Sequence, residues 1–283
     1  MNLYDQLIQL QVVPNAYENW RDYRGELTDY IRNQLNLDKM PYGDMAILGV
    51  GRGNDLNLRQ IVGYTKTLTL WDKDSIAIDE AIKKYGLEHE DKVKCVCKDL
   101  IGLSVEDYRL YAERLVGKIR EQGRATLVED LADFALLEIK ELAKKLVPID
   151  LGEAVYDTII VIGLHSQFLS MIEWIWQVIL QTLGKDESSV RLAIIKLNES
   201  LIRAFHQQLI KACKGQLIIG CEIARRGRIG TIQGAIQGLQ DLEGLRQKGQ
   251  LKKKSECLLE WPFHPENDII YEMHIQCDQI VLK

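Results

Sequence analysis

Three glycines at alternate positions, Gly49, Gly51 and Gly53, follow a short apolar run and precede Asn54 and Asp55. Glycine lets a backbone turn sharply and lets a ligand come close to it. Further on, the run Thr67-Leu68-Thr69-Leu70-Trp71 ends in Asp72. A carboxylate can accept both hydrogen bonds of a ribose diol. Bare backbone facing an acid suits the holding of a nucleoside-bearing ligand rather than bond breaking. For proton transfer the chain offers His165, in the polar loop Gly163-Leu164-His165-Ser166-Gln167, and more weakly His264. Histidine titrates near neutral pH, which suits a general base.

The elements that must position these residues follow from apolar runs and caps. Met45 to Leu48 reads as a buried strand, and Asn54 and Asp55 as N-caps for a helix over Leu56 to Gly63. Strand, glycine turn, helix, strand and acid make a nucleotide-binding half-fold. A dinucleotide fingerprint is Gly-x-Gly-x-x-Gly, whereas here the spacing is Gly-x-Gly-x-Gly. That spacing resembles motif I of the class I S-adenosylmethionine (SAM)-dependent methyltransferases. The resemblance implies that Gly49, Gly51 and Gly53 pack against the methionine end of the cofactor and that Asp72 holds its ribose. The family usually has an acid two residues before the first glycine, where this chain has Ile47. Asp55, just past the glycines, is the candidate for that carboxylate.

The remaining chain fits the same layout. Ser75 to Gly86 is a helix and Lys92 to Cys97 a third strand, with Asp99 just past it. The resemblance places an acid there beside the adenine amino group; a solvated turn acid is the competing reading. Residues 104–154 read as two amphipathic helices inserted between strands three and four, either gating a substrate pocket or forming a homodimer surface. Thr158 to Ile162 is strand four, and YDTIIVIGLHS resembles the family's strand-four motif. Ligands of open α/β sheets sit at the carboxyl ends of strands, so Gly163 and Leu164 join the cofactor-binding set. Phe168 to Leu183 and Leu192 to Ala212 are helices, and Lys214 to Ile219 enters a fifth strand. Arg225 to Lys254 reads as a basic loop and a helix. Glu256 to Trp261 and Ile269 to Leu282 are strands joined by a short loop with Pro262 and Pro265, which implies an antiparallel pair. Ahead of all this, residues 1–40 read as a helical cap. Tyr17, Trp20 and Tyr23 share one helix face there, either as a core stripe or as a lid.

Composition limits the partners. The 283 residues carry a net charge of −5, so nothing electrostatic favours nucleic acid. No Asn/Asp-Pro-Pro-Tyr motif of amino-methylating nucleic-acid enzymes follows strand four, and no His, Cys and carboxylate group has metal-ligand spacing. Six cysteines without paired C-x-x-C spacing fit a reduced, cytoplasmic setting, and the N-terminus lacks the basic start of a secretory signal. The apolar stretch Tyr156 to Leu180 is broken by His165-Ser166-Gln167, so it is not expected to span a membrane. The expected fold is α/β and doubly wound: a mainly parallel seven-stranded sheet with an antiparallel C-terminal strand, occupying residues 41–283. The expected activity is SAM-dependent methyl transfer to a small molecule or another acceptor that is not nucleic acid. Two readings compete. One is a non-catalytic protein of this fold that binds SAM or S-adenosylhomocysteine (SAH). The other is an NAD-dependent oxidoreductase, disfavoured by the glycine spacing and the terminal hairpin.

Overall fold

The computed structural model describes residues 2–10, 12–35, 41–123, 127–227 and 232–281. The N-terminal stretch forms α1 (Leu3–Leu10), α2 (Ala16–Asn19) and α3 (Arg21–Gln34). Then β1 (Tyr42–Leu48), α4 (Leu58–Tyr64), β2 (Thr65–Asp72), α5 (Ser75–Lys84) and β3 (Val93–Cys97) alternate. The helices α6 (Val105–Gln122) and α7 (Val128–Ala143) precede β4 (Tyr156–Ile162). Next come α8 (Ser170–Leu183), α9 (Ser189–Ala212), β5 (Cys213–Arg225), α10 (Gln233–Gln247), β6 (Leu251–His264) and β7 (Ile269–Ile280).

The strands form one seven-stranded sheet in the order β3-β2-β1-β4-β5-β7-β6. Pairs from β3 to β5 are parallel, and β7 runs against both of its neighbours. This is the doubly wound sheet, with one reversed C-terminal strand, that the sequence predicts. Side chains of a strand alternate between faces. Ala46, Leu48, Ile159, Val161, Leu217 and Ile219 enter one core, closed by α1 and α6 to α10. Met45, Ile47, Leu68, Leu70, Ile160 and Ile218 enter the other, closed by α3, α4, α5 and the inner residues of β6 and β7. With both faces covered, the central strands are apolar at consecutive positions rather than at alternate ones.

Three local expectations are corrected. The N-cap of α4 is Asn57, whose side chain accepts from Gln60 N at 3.2 Å, and not Asn54 or Asp55. The fifth strand runs on to Arg225, and the sixth begins at Leu251 rather than Glu256, because both pair along the length of β7. Pro262 cannot donate to the ladder, and the register shifts between Trp261 and His264.

The first forty residues divide between the two cores. Tyr4 and Leu7 of α1 join the first, whereas Tyr23, Leu27 and Ile31 of α3 join the second. Residues 36–40, at the end of that expected cap, lie outside the described residues. The inserted helix α6 opens on a capping box of Ser104 and Asp107 and buries Tyr108, Tyr111 and Leu115. Among the described residues, no helix is long and apolar enough to cross a membrane.

Candidate functional site

The glycine loop leaves β1 at the carboxyl edge of the sheet and folds back on β2. Gly49 N and Val50 N both donate to Trp71 O, at 2.8 and 3.0 Å. Gly49, Gly51 and Gly53 are all left-handed, with φ of +73°, +51° and +63°. Their surroundings differ. A Cβ on Gly49 would lie 3.0 Å from Leu164, and one on Gly53 would lie 3.1 Å from both Ala81 and Leu58. A Cβ on Gly51 would meet nothing within 4 Å. Gly49 and Gly53 therefore permit close packing, and Gly51 faces open space.

Asp72 stands opposite that opening. Its Oδ2 accepts from Gly51 N at 2.7 Å, and its Oδ1 from Asp74 N at 3.0 Å. Asp74 in turn caps α5, accepting from Ile76 N and Ala77 N. Each oxygen of Asp72 keeps acceptor capacity for a further donor. The carboxylate is thus oriented by two backbone N–H groups.

Asp55 closes the other side. It lines a narrow cleft with Gly49, Gly53, Ile47 and Ile162. Its Oδ1 is enclosed and has no hydrogen-bond partner. Burial and the nearby Glu222 carboxylate push the Asp55 carboxyl up to about 7, against the pull of Arg24 and Lys84. Gly163, at the end of β4, donates to Gly220 O at 2.9 Å, and Leu164 packs against Gly49. Asp99 lies apart from this cleft. Its Oδ1 accepts from Ile101 N at 2.8 Å and Leu103 N at 3.3 Å, which caps the turn after β3.

The N-terminal helices pack on β6 and on the glycine loop. Trp20 Nε1 donates to Phe263 O at 3.1 Å, and Tyr23 stacks on Trp261 with centroids 5.8 Å apart. Arg24 bonds Tyr17 O at 2.7 Å and Asn54 O at 3.1 Å, tying α2 and α3 to the glycine loop. The aromatic stripe read from the sequence therefore divides: Trp20 and Tyr23 meet β6, while Tyr17 sits edge-on to Tyr85.

His165 is not among the residues lining the cleft and has 0% exposure. Its Nε2 faces His206 Nε2 at 2.8 Å, and its Nδ1 faces Cys221 Sγ at 3.6 Å. His206 Nδ1 continues the chain to Asp241 at 2.7 Å. As the general base expected from the sequence, His165 has no nitrogen left to offer an acceptor. Its place is inside the loop that bears Gly163 and Leu164, clamped by Gly234 and Gly238 of α10. The weaker candidate, His264, ends β6 with its Nε2 3.2 Å from Asn267.

Burial and His206 hold the His165 imidazole well below its ordinary value of 6.5. In the unfolded chain it takes up a proton below about 6.5. The unfolded state then binds more protons, so His165 withdraws stability as pH falls through that value. In denaturant titrations from about pH 7 to about pH 5, His165→Gln should lose less stability than the parent. An equal loss in both proteins would show that His165 is charged in the fold.

Two residues at this site escaped the sequence reading. Glu222 sits inside the apolar strand β5 and is 6% exposed, and Trp261 belongs to a strand whose approach to Gly163 depends on sheet order. A lone acid inside LIIGCEIA was the available signal for the first.

No family profile matches the sequence, and no curated protein matches it either. Among solved structures, the chain is similar to magnesium protoporphyrin IX methyltransferase from Synechocystis PCC 6803 with bound SAH, at 11% identity and a TM-score of 0.48, over 93% of this chain and 84% of that one. It is similar to the N-methyltransferase NodS from Bradyrhizobium japonicum at 13% identity and 0.43, over 95% and 99%. It is also similar to a Pyrococcus horikoshii structure whose name proposes RNA as its substrate, at 11% identity and 0.41, over 84% and 75%.

Proposed function

We propose that the chain binds SAM at the carboxyl edge of β1, β2 and β4 and transfers its methyl group to an acceptor that is not nucleic acid. The observation that carries this is the Gly51–Asp72 pair. An open left-handed glycine donates its N–H to a carboxylate that still has acceptor capacity. The residues present fit the cofactor: open backbone at Gly51 and, at Asp72, an acid with acceptor capacity for the ribose diol. When bound, SAM supplies a methyl group activated on a sulfonium.

The chain then contributes position and electrostatics. Asp72 holds the ribose, and Leu164 and Gly49 bound the side facing β4. Asp99, with the stacked rings of Tyr4 and Tyr108 nearby, bounds the adenine side. His165 acts through the loop as a positioning residue. The cleft is narrow, and the Trp20 and Tyr23 rings pack on Trp261 of β6. The net charge of −5 favours a small or protein acceptor over a nucleic acid.

Calorimetry with SAM, SAH and NAD tests this reading. SAM and SAH should bind and NAD should not; binding of NAD alone would replace the methyltransferase reading with the oxidoreductase one. In the same experiment Asp72→Asn should weaken SAM by about ten- to a hundred-fold, the loss of a charge-assisted hydrogen bond. Unchanged affinity in a folded variant would remove Asp72 from the ribose.

A further inference from the structure

Buried polar atoms in folded proteins are nearly always paired. Among the described residues the exceptions include Asp55 Oδ1, which lines the cleft, and Glu222 Oε2, Tyr23 Oη and Trp261 Nε1. They come from the glycine loop, β5, α3 and β6, so no local sequence feature groups them. Asp55 lines the cleft with Ile162, the last residue of β4. One residue on, a Cβ at Gly163 would lie 3.8 Å from the Trp261 ring. Tyr23, 2% exposed, lies face to face with that ring. Glu222 is held through Oε1 by Ser166 Oγ, in the loop that follows Gly163, which leaves Oε2 free. Asp55, Glu222 and Tyr23 are each poorly solvated and their charges act on one another: Asp55 and Glu222 push the Tyr23 hydroxyl further up, and Glu222 does the same to Asp55.

Two of the four atoms are carboxyl oxygens, Tyr23 Oη can accept or donate, and Trp261 Nε1 only donates. Two neighbouring carboxylates in such a space need a shared proton or a cation. A protonated amine carries three N–H donors and no acceptor, and aromatic faces attract its charge. A hydroxyl would supply one donor and offset neither carboxylate charge, and a carboxylate ligand would be repelled. The geometry points to an alkylammonium site, formed by Asp55, Glu222 and Tyr23 beside the Trp261 ring, that receives an amine as the methyl acceptor. This rests on the reading that SAM occupies the adjacent glycine loop. The methionine end of SAM carries an ammonium group too, and it is the other source of the same chemistry. The sheet order favours the acceptor: Glu222 and Trp261 lie on β5 and β6, on the far side of β4 from the Gly51–Asp72 pair.

The transfer balances without a further reactant. The ammonium gives one proton to the Asp55 carboxylate, which frees the nitrogen lone pair. Nitrogen bonds to the methyl carbon as the sulfur–carbon bond breaks, and that bond's electrons stay on sulfur. The methylated ammonium product takes over the positive charge the sulfonium loses, and Asp55 returns its proton to water. The groups that face Asp55 and set its proton affinity are Glu222, Arg24, Lys84 and Tyr23.

The test uses the whole protein with butylamine and benzylamine against butanol and benzyl alcohol. Without cofactor, the amines should raise the melting temperature in a concentration-dependent way and the alcohols should not. Glu222→Gln should remove that rise while keeping SAH affinity within about two-fold. With SAM present, methyl transfer should reach the amines alone and fall about ten- to a hundred-fold in Glu222→Gln. Equal melting shifts from alcohols, or none from amines, would overturn the site. A Glu222→Gln protein that loses SAH as strongly as it loses amines would assign the ammonium to the cofactor and overturn the acceptor. If SAM and SAH fail to bind while the amine shift persists and depends on Glu222, the methyltransferase reading falls and the ammonium site stands.

Discussion

Gly51→Val should abolish SAM and SAH binding in calorimetry while the far-ultraviolet circular dichroism stays that of the parent. Gly51 has a φ of +51°, and a Cβ there would point into open space. A left-handed β-branched residue costs about 1–2 kcal/mol, which a large two-core fold tolerates. The cost to binding is larger. The isopropyl group would stand where backbone meets ligand, and any relaxation would pull Gly51 N away from Asp72 Oδ2. An affinity loss greater than about a hundred-fold is expected. Gly51→Ala shares the strain with less bulk and should fall between. Normal SAM binding by the valine variant would make the loop a structural turn.

The largest stability effect should come from Arg246→Met. Arg246 on α10 meets Asp278 on β7 through Nε to Oδ1 and Nη2 to Oδ2, both at 2.7 Å, and Nη2 also donates to Gln276 at 2.7 Å. The Asp278 side chain is 1% exposed and that of Arg246 11% exposed. Removing one partner of a buried pair strands the other charge, at a cost of about 3 kcal/mol. The denaturation midpoint should drop without a change in slope. SAM affinity should hold, because neither partner lines the cleft. A loss below about 1 kcal/mol would mean that water screens the pair.

The sequence by itself determined the features governed by neighbours along the chain. Apolar runs such as Met45 to Leu48 and Thr158 to Ile162 announce strands covered on both faces, and their order carries the doubly wound sheet. Left-handed backbone is open chiefly to glycine, so the turn at Gly49, Gly51 and Gly53, with Asp72 at the next strand's end, was legible before folding. The polar loop after β4 was legible too, but not the direction of His165. That depended on α9 and α10 bringing His206, Gly234 and Gly238 against it. Only the tertiary structure decided that Tyr23, Asp55, Glu222 and Trp261 each bury an unpaired polar atom and that Tyr23 stacks on Trp261. The reason is the sheet order: β5 and β6 come late in the chain, yet pairing sets β5 against β4 and places Trp261 over Gly163. Local conformation records what each residue needs from its own backbone. Contacts between residues more than 30 apart depend on which strands pair, and that choice belongs to the packed core as a whole.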